Sequence, residues 1–233
     1  MKKRIMSFLW LSLLLLPLSA TAQDVDPQAY YIDDNKTSQI SNSISNAQAP
    51  LEVTFKADPT NMDGFDPSYE WHFMKQKSAG VYEEMFVRYE EDTQYTFYES
   101  GTYNVELRTK LDDQGNELSP KVVTITILES KLEFPNAFSP NGDGVNDTFK
   151  AKDGWKSIVK FKAIILNRWG QKLYEWNDPA GEWDGKYKGK VVNDGVYFLY
   201  VNAKGADGHV YEIRKDINVL KGLNDRGSST STP

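Results

Sequence analysis

From Leu51 onward, apolar and polar residues alternate with a period of two. Leu51, Val53 and Phe55 are separated by polar residues, as are Tyr69, Trp71 and Phe73. Tyr103, Val105 and Leu107 follow the same rule, and so do Val123, Ile125 and Ile127. Alternation of this kind turns one face of a strand to a core and the other to water. Asp63-Gly64, Ser100-Gly101 and Gln114-Gly115-Asn116 supply turn chemistry between the runs, so the pattern predicts an antiparallel sandwich. Val81 to Tyr89 is ambiguous. Tyr82, Met85, Phe86 and Tyr89 fit helical spacing, whereas Val81, Met85, Val87 and Tyr89 fit strand alternation, and the company of strands favours a strand or strand pair.

A second period-two region follows Phe149. Val159, Phe161, Ala163 and Ile165 share one face, with Ile158, Ile164, Leu166 and two lysines on the other. Asn167-Arg168-Trp169-Gly170 reads as a turn feeding a strand from Gln171 to Trp176. Trp183-Asp184-Gly185 and Asn193-Asp194-Gly195 read as two hairpin-closing turns. Val196 to Val201 is apolar on both faces, which predicts a central strand buried on each side. Between the two regions lies Phe134 to Phe149, whose prolines, glycines, asparagines and aspartates break any helix or ladder strand. The prediction is an all-β chain of two tandem immunoglobulin-like antiparallel sandwiches, residues 50–129 and 131–221, each within the size range of an independent domain.

Ahead of Leu51, residues 23–49 are polar, with Tyr30-Tyr31-Ile32 their only apolar cluster. They read as a solvated linker, a strand beginning near Tyr30 being the alternative. Residues 1–22 have the form of a secretory signal: Lys2, Lys3 and Arg4, then an apolar run from Ile5 to Leu16, then Ala20-Thr21-Ala22. The run is shorter than the ~20 apolar residues of a membrane span, so no span is expected after signal cleavage. Residues 222–233 are rich in Ser and Thr and read as a disordered tail.

The chain of 233 residues carries no Cys, two His and a formal charge of −6. Loss of the three signal cations brings that charge to −9, which argues against nucleic acid as a partner. Without disulfides, stability must come from ordinary cores.

Ala49-Pro50-Leu51, Tyr69-Glu70-Trp71-His72-Phe73 and Ser100-Gly101-Thr102-Tyr103-Asn104-Val105-Glu106-Leu107 resemble the PKD family of extracellular modules. The usual Gly-Asp-Gly turn after the tryptophan strand is replaced here by Met74-Lys75-Gln76. The resemblance implies a domain that binds a surface or matrix ligand. Trp71 is expected to face the core, and His72, on the opposite face, to be a surface residue.

The second region resembles the gliding-motility-associated C-terminal domain, the type B sorting domain of the type IX secretion system. The residues that carry the likeness are Phe134, Pro135, Asn136, Ala137, Phe138, Ser139, Pro140, Asn141, Gly142, Asp143, Gly144, Val145, Asn146 and Asp147, then Asn167, Arg168, Trp169 and Gly170. Trp183, Asp184 and Gly185 follow, and then Asp194, Gly195, Val196 and Tyr197. The resemblance implies recognition by outer-membrane type IX secretion proteins and a final location on the cell surface or in the medium.

Asn141, Asp143, Asn146 and Asp147 alternate with glycines, as hard oxygen ligands of calcium do, although the loop lacks the length and terminal glutamate of a helix-loop-helix calcium site. The competing expectation is a turn whose Asx side chains bond their own backbone. No catalytic residues are expected. A Ser-His-Asp arrangement would need His72 or His209 without a nucleophile elbow, and Glu83, Glu84, Glu90 and Glu91 read as solvated surface. Trp176 and Trp183 flank a loop and fit edge packing in a small sandwich better than stacking on sugar rings. Three readings therefore stand at this level: an exported surface protein with a sorting domain, an accessory part of the secretion or gliding apparatus, and a carbohydrate-binding accessory protein.

Overall fold

The computed structural model describes residues 22–221 apart from Asp113; the expected signal and tail lie outside these residues. The strand Leu51–Lys56 buries Leu51, Val53 and Phe55 in strict alternation. It pairs antiparallel with Gln28–Ile32 on one side and Thr93–Phe97 on the other, and Ser38–Ser41 completes a four-stranded sheet. Against it packs a five-stranded sheet in the order Ser43–Ala47, Lys121–Ile127, Gly101–Lys110, Ser68–Ser78, Val81–Arg88. All its neighbours are antiparallel except the parallel pair of Ser43–Ala47 with Lys121–Ile127. Trp71 is fully buried between the layers, its ring 5.8 Å from that of Phe55. Its indole N–H donates to the carbonyls of Glu90 and Glu91, which satisfies the one polar atom that burial would orphan.

Residues 23–49 are not a linker. Gln28–Ile32 and Ser43–Ala47 are paired strands, and Val25, Ala29 and Ile44 lie in the first core. Each strand sends so few side chains inward that the backbone ladder, rather than apolar periodicity, fixes it in place. The mixed periodicity of Val81–Arg88 also has a local cause. The pairing of this strand with Ser68–Ser78 slips between Phe73 and Met74 and again between Gln76 and Ser78, and each slip changes which side chains share a face. His72 is a correction of another kind. It does face away from Trp71, yet it is buried beneath Glu84 and Glu70, at 2.7 and 3.4 Å from its two ring nitrogens.

The second unit is built on one five-stranded sheet, ordered Ala137–Phe138, Val210–Val219, Gly195–Gly205, Ile158–Leu166, Lys172–Trp176. Its other layer consists of short pairs, Phe149–Lys150 with Glu182–Trp183 and Lys186–Tyr187 with Lys190–Val191. Phe134, Phe138, Phe149, Trp176 and Trp183 fill the space between, so aromatic bulk takes the place of a full facing sheet. Gly195–Gly205 is central but not buried on both sides: Leu199, Val201 and Ala203 face the core, while Val196 and Tyr200 are exposed. A register slip between Ile158 and Lys160 turns Ile158 inward, against its expected face. Trp183-Asp184-Gly185 and Asn193-Asp194-Gly195 close no hairpins; they redirect the chain between short ladders.

The two units meet at Ser157, which is fully buried with φ at 50°. Its hydroxyl accepts the N–H of Ala49 at 3.3 Å, its own N–H donates to Gln48 Oε1, and its carbonyl accepts the N–H of Ala206. Ala206 lies in the first core and Val159 packs against it. The connection is pinned as well, since Ser130 bonds Asp207 through both its N–H and its hydroxyl. No helix among the described residues is long and apolar enough to cross a membrane.

Candidate recognition site

The stretch Phe134–Phe149 enters and leaves through the second core. Phe134, Phe138 and Phe149 are buried with ring centroids 5.7 to 5.9 Å apart along the chain of contacts. Ala137–Phe138 adds a short parallel edge to Val210–Val219, the carbonyl of Asn136 accepts the N–H of Asn218, and that of Phe134 accepts Lys215 Nζ. Pro135 sits between these anchors. With both ends held, the exposed loop needs little else to fix it.

Inside the loop, the Asp147 carboxylate accepts the N–H groups of Gly142 at 2.6 Å, Gly144 at 2.7 Å and Asn141 at 3.1 Å. The Gly142 and Gly144 donors, then Asn141, hold its carboxyl below the usual range. Asp143 accepts the N–H of Val145 and the side-chain amide of Asn141, whose carbonyl oxygen in turn accepts the N–H of Asp143. The Ser139 N–H donates to the carbonyl of Asn146, a residue with φ at 53°. The four residues expected as hard ligands are thus gathered, with the oxygens of Asn141, Asp143 and Asp147 already serving as acceptors within the turn. Among the described residues no group of three or more His, Cys, Asp and Glu is arranged to hold a metal ion.

The other motif residues converge on this loop. Phe138, Trp183 and Tyr197 form a run of rings at 5.3 and 5.9 Å, with Trp183 fully buried and its indole N–H donated to the Lys186 carbonyl. Gly185 lies under Pro140, and its φ of 74° lies in the region that favours glycine. Asp184 caps the turn by accepting Lys186 through its side chain and its N–H, which lowers the carboxyl's pKa. Gly195 opens the strand on which the Tyr197 hydroxyl reaches back 2.9 Å to the Asn193 carbonyl.

At the tip of the hairpin between Ile158–Leu166 and Lys172–Trp176, Asn167 Oδ1 accepts the N–H groups of Trp169 and Gln171, and Gly170 takes a positive φ. Trp169 is 75% exposed, with the Arg168 guanidinium 4.3 Å from its ring centroid. Gln171 donates to the Tyr187 hydroxyl at 3.0 Å, which ties this turn to the hairpin carrying Lys186, Lys188 and Lys190.

The motif therefore divides in two. Phe134, Phe138, Trp183, Gly185 and Tyr197 serve the interior, while residues 141–147, Arg168 and Trp169 lie at the surface. Sequence reading passed over the contact of Pro140 with Gly185 and the lysine hairpin, although Lys186, Lys188 and Lys190 recur at alternate positions. It also passed over a charge asymmetry. Residues 23–130 hold 20 Asp and Glu against 8 Lys and Arg, whereas residues 131–221 hold 12 against 15. His72 lies between two glutamates, and the His209 ring packs edge-on to Tyr211.

This is an all-β sandwich domain with its sequence motifs gathered at one end. Residues 132–217 match the CHU_C type IX secretion signal domain. The chain thus carries a type IX sorting domain, which implies export to the cell surface or the medium by that route. No curated protein matches the chain. Among solved structures it is similar to dimeric latent PorU from Porphyromonas gingivalis, at 12% identity and a TM-score of 0.26 over 87% of this chain and 20% of that one. It is also similar to the FN1–FN3 domains of chicken CNTN1, at 11% identity and a TM-score of 0.31 over 79% and 70% of the two chains. The chain spans about a fifth of the length of the PorU chain.

Proposed function

We propose that this is a non-catalytic, type IX-exported protein whose second sandwich is its export address and whose first sandwich, PKD-like, binds a protein or matrix at the cell surface. The observation that carries the reading is the gathering of all four motifs at one end of the second sandwich, half locked inside and half presented. Outer-membrane secretion proteins are the natural readers of the presented half. Deletion of residues 131–233 is expected to leave the protein in the periplasm while other type IX cargo leaves the cell. Delivery of the shortened protein to the outside would overturn the reading.

A second reading has an observation of its own. Ser157, Val159 and Ala206 lock the two units together, and Ser130 is tied to Asp207, so the junction offers no slack segment to a processing protease. A sorting domain that stays attached suits an accessory component docked on an outer-membrane protein. The mass of the protein recovered from the cell surface separates the two: an intact chain supports retention, a chain ending near residue 130 supports a removable tag. Loss of other cargo secretion on deletion would favour the accessory role.

A further inference from the structure

Among the described residues, Trp71, Trp176 and Trp183 are buried and Trp155 packs on the second core, so Trp169 is the tryptophan left in solvent. Nothing in the sandwich requires it there. The turn that carries it is nevertheless rigid, held by the Asn167 side chain and by the Gln171–Tyr187 bond. Cations lie on this turn and on the hairpin bonded to it. Lys172 pairs with Glu175 and Lys186 with Asp184, but among the described residues Arg168, Lys188 and Lys190 form no ion pair. Lys188 lies 5.4 Å from the Tyr187 ring centroid, much as Arg168 lies over Trp169. Asp194, which precedes the strand Gly195–Gly205, is engaged by the N–H of Lys221.

We propose that this tip docks an acidic segment of a partner protein, with carboxylates meeting Arg168, Lys188 and Lys190 around the Trp169 ring. The proposal rests on the export reading and adds the chemistry of the partner. Trp, Tyr and Arg are the side chains that dominate binding energy when seated in a partner's surface. A guanidinium matches a carboxylate with two parallel hydrogen bonds. A turn already fixed by its own hydrogen bonds loses little freedom on docking. The charge asymmetry gives direction: the strongly anionic first sandwich repels an acidic partner, and the cationic second one receives it.

The test uses the full chain in its producing cell, with a photo-crosslinking amino acid at Val191, a partly exposed position on the lysine hairpin. The expected product is an adduct to a peptide rich in Asp and Glu within one partner protein. That adduct should be lost in Trp169→Ala and in Lys188→Glu/Lys190→Glu, with export reduced at least tenfold and the melting temperature unchanged. Adducts to lipid only, adducts to a peptide without acidic residues, no adduct at all, or normal export of both variants would each overturn the docking proposal. The export reading fails separately, if the native chain still reaches the outside when the type IX translocon is inactivated.

Discussion

Pro140 and Gly185, 45 positions apart, touch so closely that a Cβ on the glycine would stand 2.8 Å from the proline ring. The contact joins the Phe134–Phe149 stretch to the turn after Trp183, two motifs with no link in the chain. Gly185→Ala adds both that clash and a disfavoured positive φ, and each such strain costs about 1–3 kcal/mol. The expected result is a lower melting temperature for the second sandwich. Pro140→Ala should recover part of the loss, which a double-mutant cycle would read directly.

Tyr103 and Tyr197 occupy equivalent places in the two units. Each lies two residues after a positive-φ glycine that opens a long strand, and each hydroxyl bonds the carbonyl four residues back, at 2.8 Å to Glu99 and 2.9 Å to Asn193. This is the tyrosine corner of immunoglobulin-like sandwiches, present in both. Tyr103→Phe and Tyr197→Phe should each lower stability by about 0.5–1.5 kcal/mol, the net worth of one hydrogen bond. Denaturant unfolding would measure both, and equal losses would support the equivalence.

What the sequence disclosed follows from how each feature is encoded. Inward faces such as Val53 with Phe55 and Trp71 with Phe73 are written in period two, and those strands were legible. Gln28–Ile32 stood only as the alternative to a linker and Ser43–Ala47 was not legible, because a strand held by its ladder with one or two inward residues leaves no periodic trace. The register slips beside Phe73 and at Ile158 were hidden for the same reason, since a bulge shifts every later side chain without changing composition. Of the recognition end, the residue identities were readable but not the division of labour. Trp183 was expected to pack within the sandwich, but nothing in the sequence set Trp169 apart as a surface residue, and only the fold shows it exposed.

The seam between the units makes a sharper prediction. Ser157→Ala removes the acceptor of the Ala49 N–H at a fully buried position, and a buried donor left unpaired costs about 1–3 kcal/mol. The lost bond spans the seam, while the backbone bonds of Ser157 to Gln48 and Ala206 persist, so the loss should fall on the coupling between units more than on either core. Calorimetry is expected to show one unfolding transition in the native chain and two in the variant. A single transition in both, shifted equally, would mean that Val159 and Ala206 suffice to couple them.

The loop beneath the recognition end has a predictable acid response. The Asp147 carboxyl titrates below its unfolded value of 3.8 because the N–H groups of Gly142 and Gly144, then Asn141, favour the charged form. A depressed folded pKa contributes stability that is present above the unfolded value and lost as pH falls through the folded one. The loop should therefore hold its turns at neutral pH and open only below about pH 3.8. Amide shifts of Gly142 and Gly144 followed by NMR would move together in that window, and Asp147→Asn should remove the transition. The same hydrogen bonds bear on calcium: a cation at Asp147 has to compete with three N–H dipoles already aimed at the carboxylate. Added calcium and a chelator are expected to leave the same melting temperature in the full chain, and a calcium-dependent rise would show that the loop rearranges to bind it.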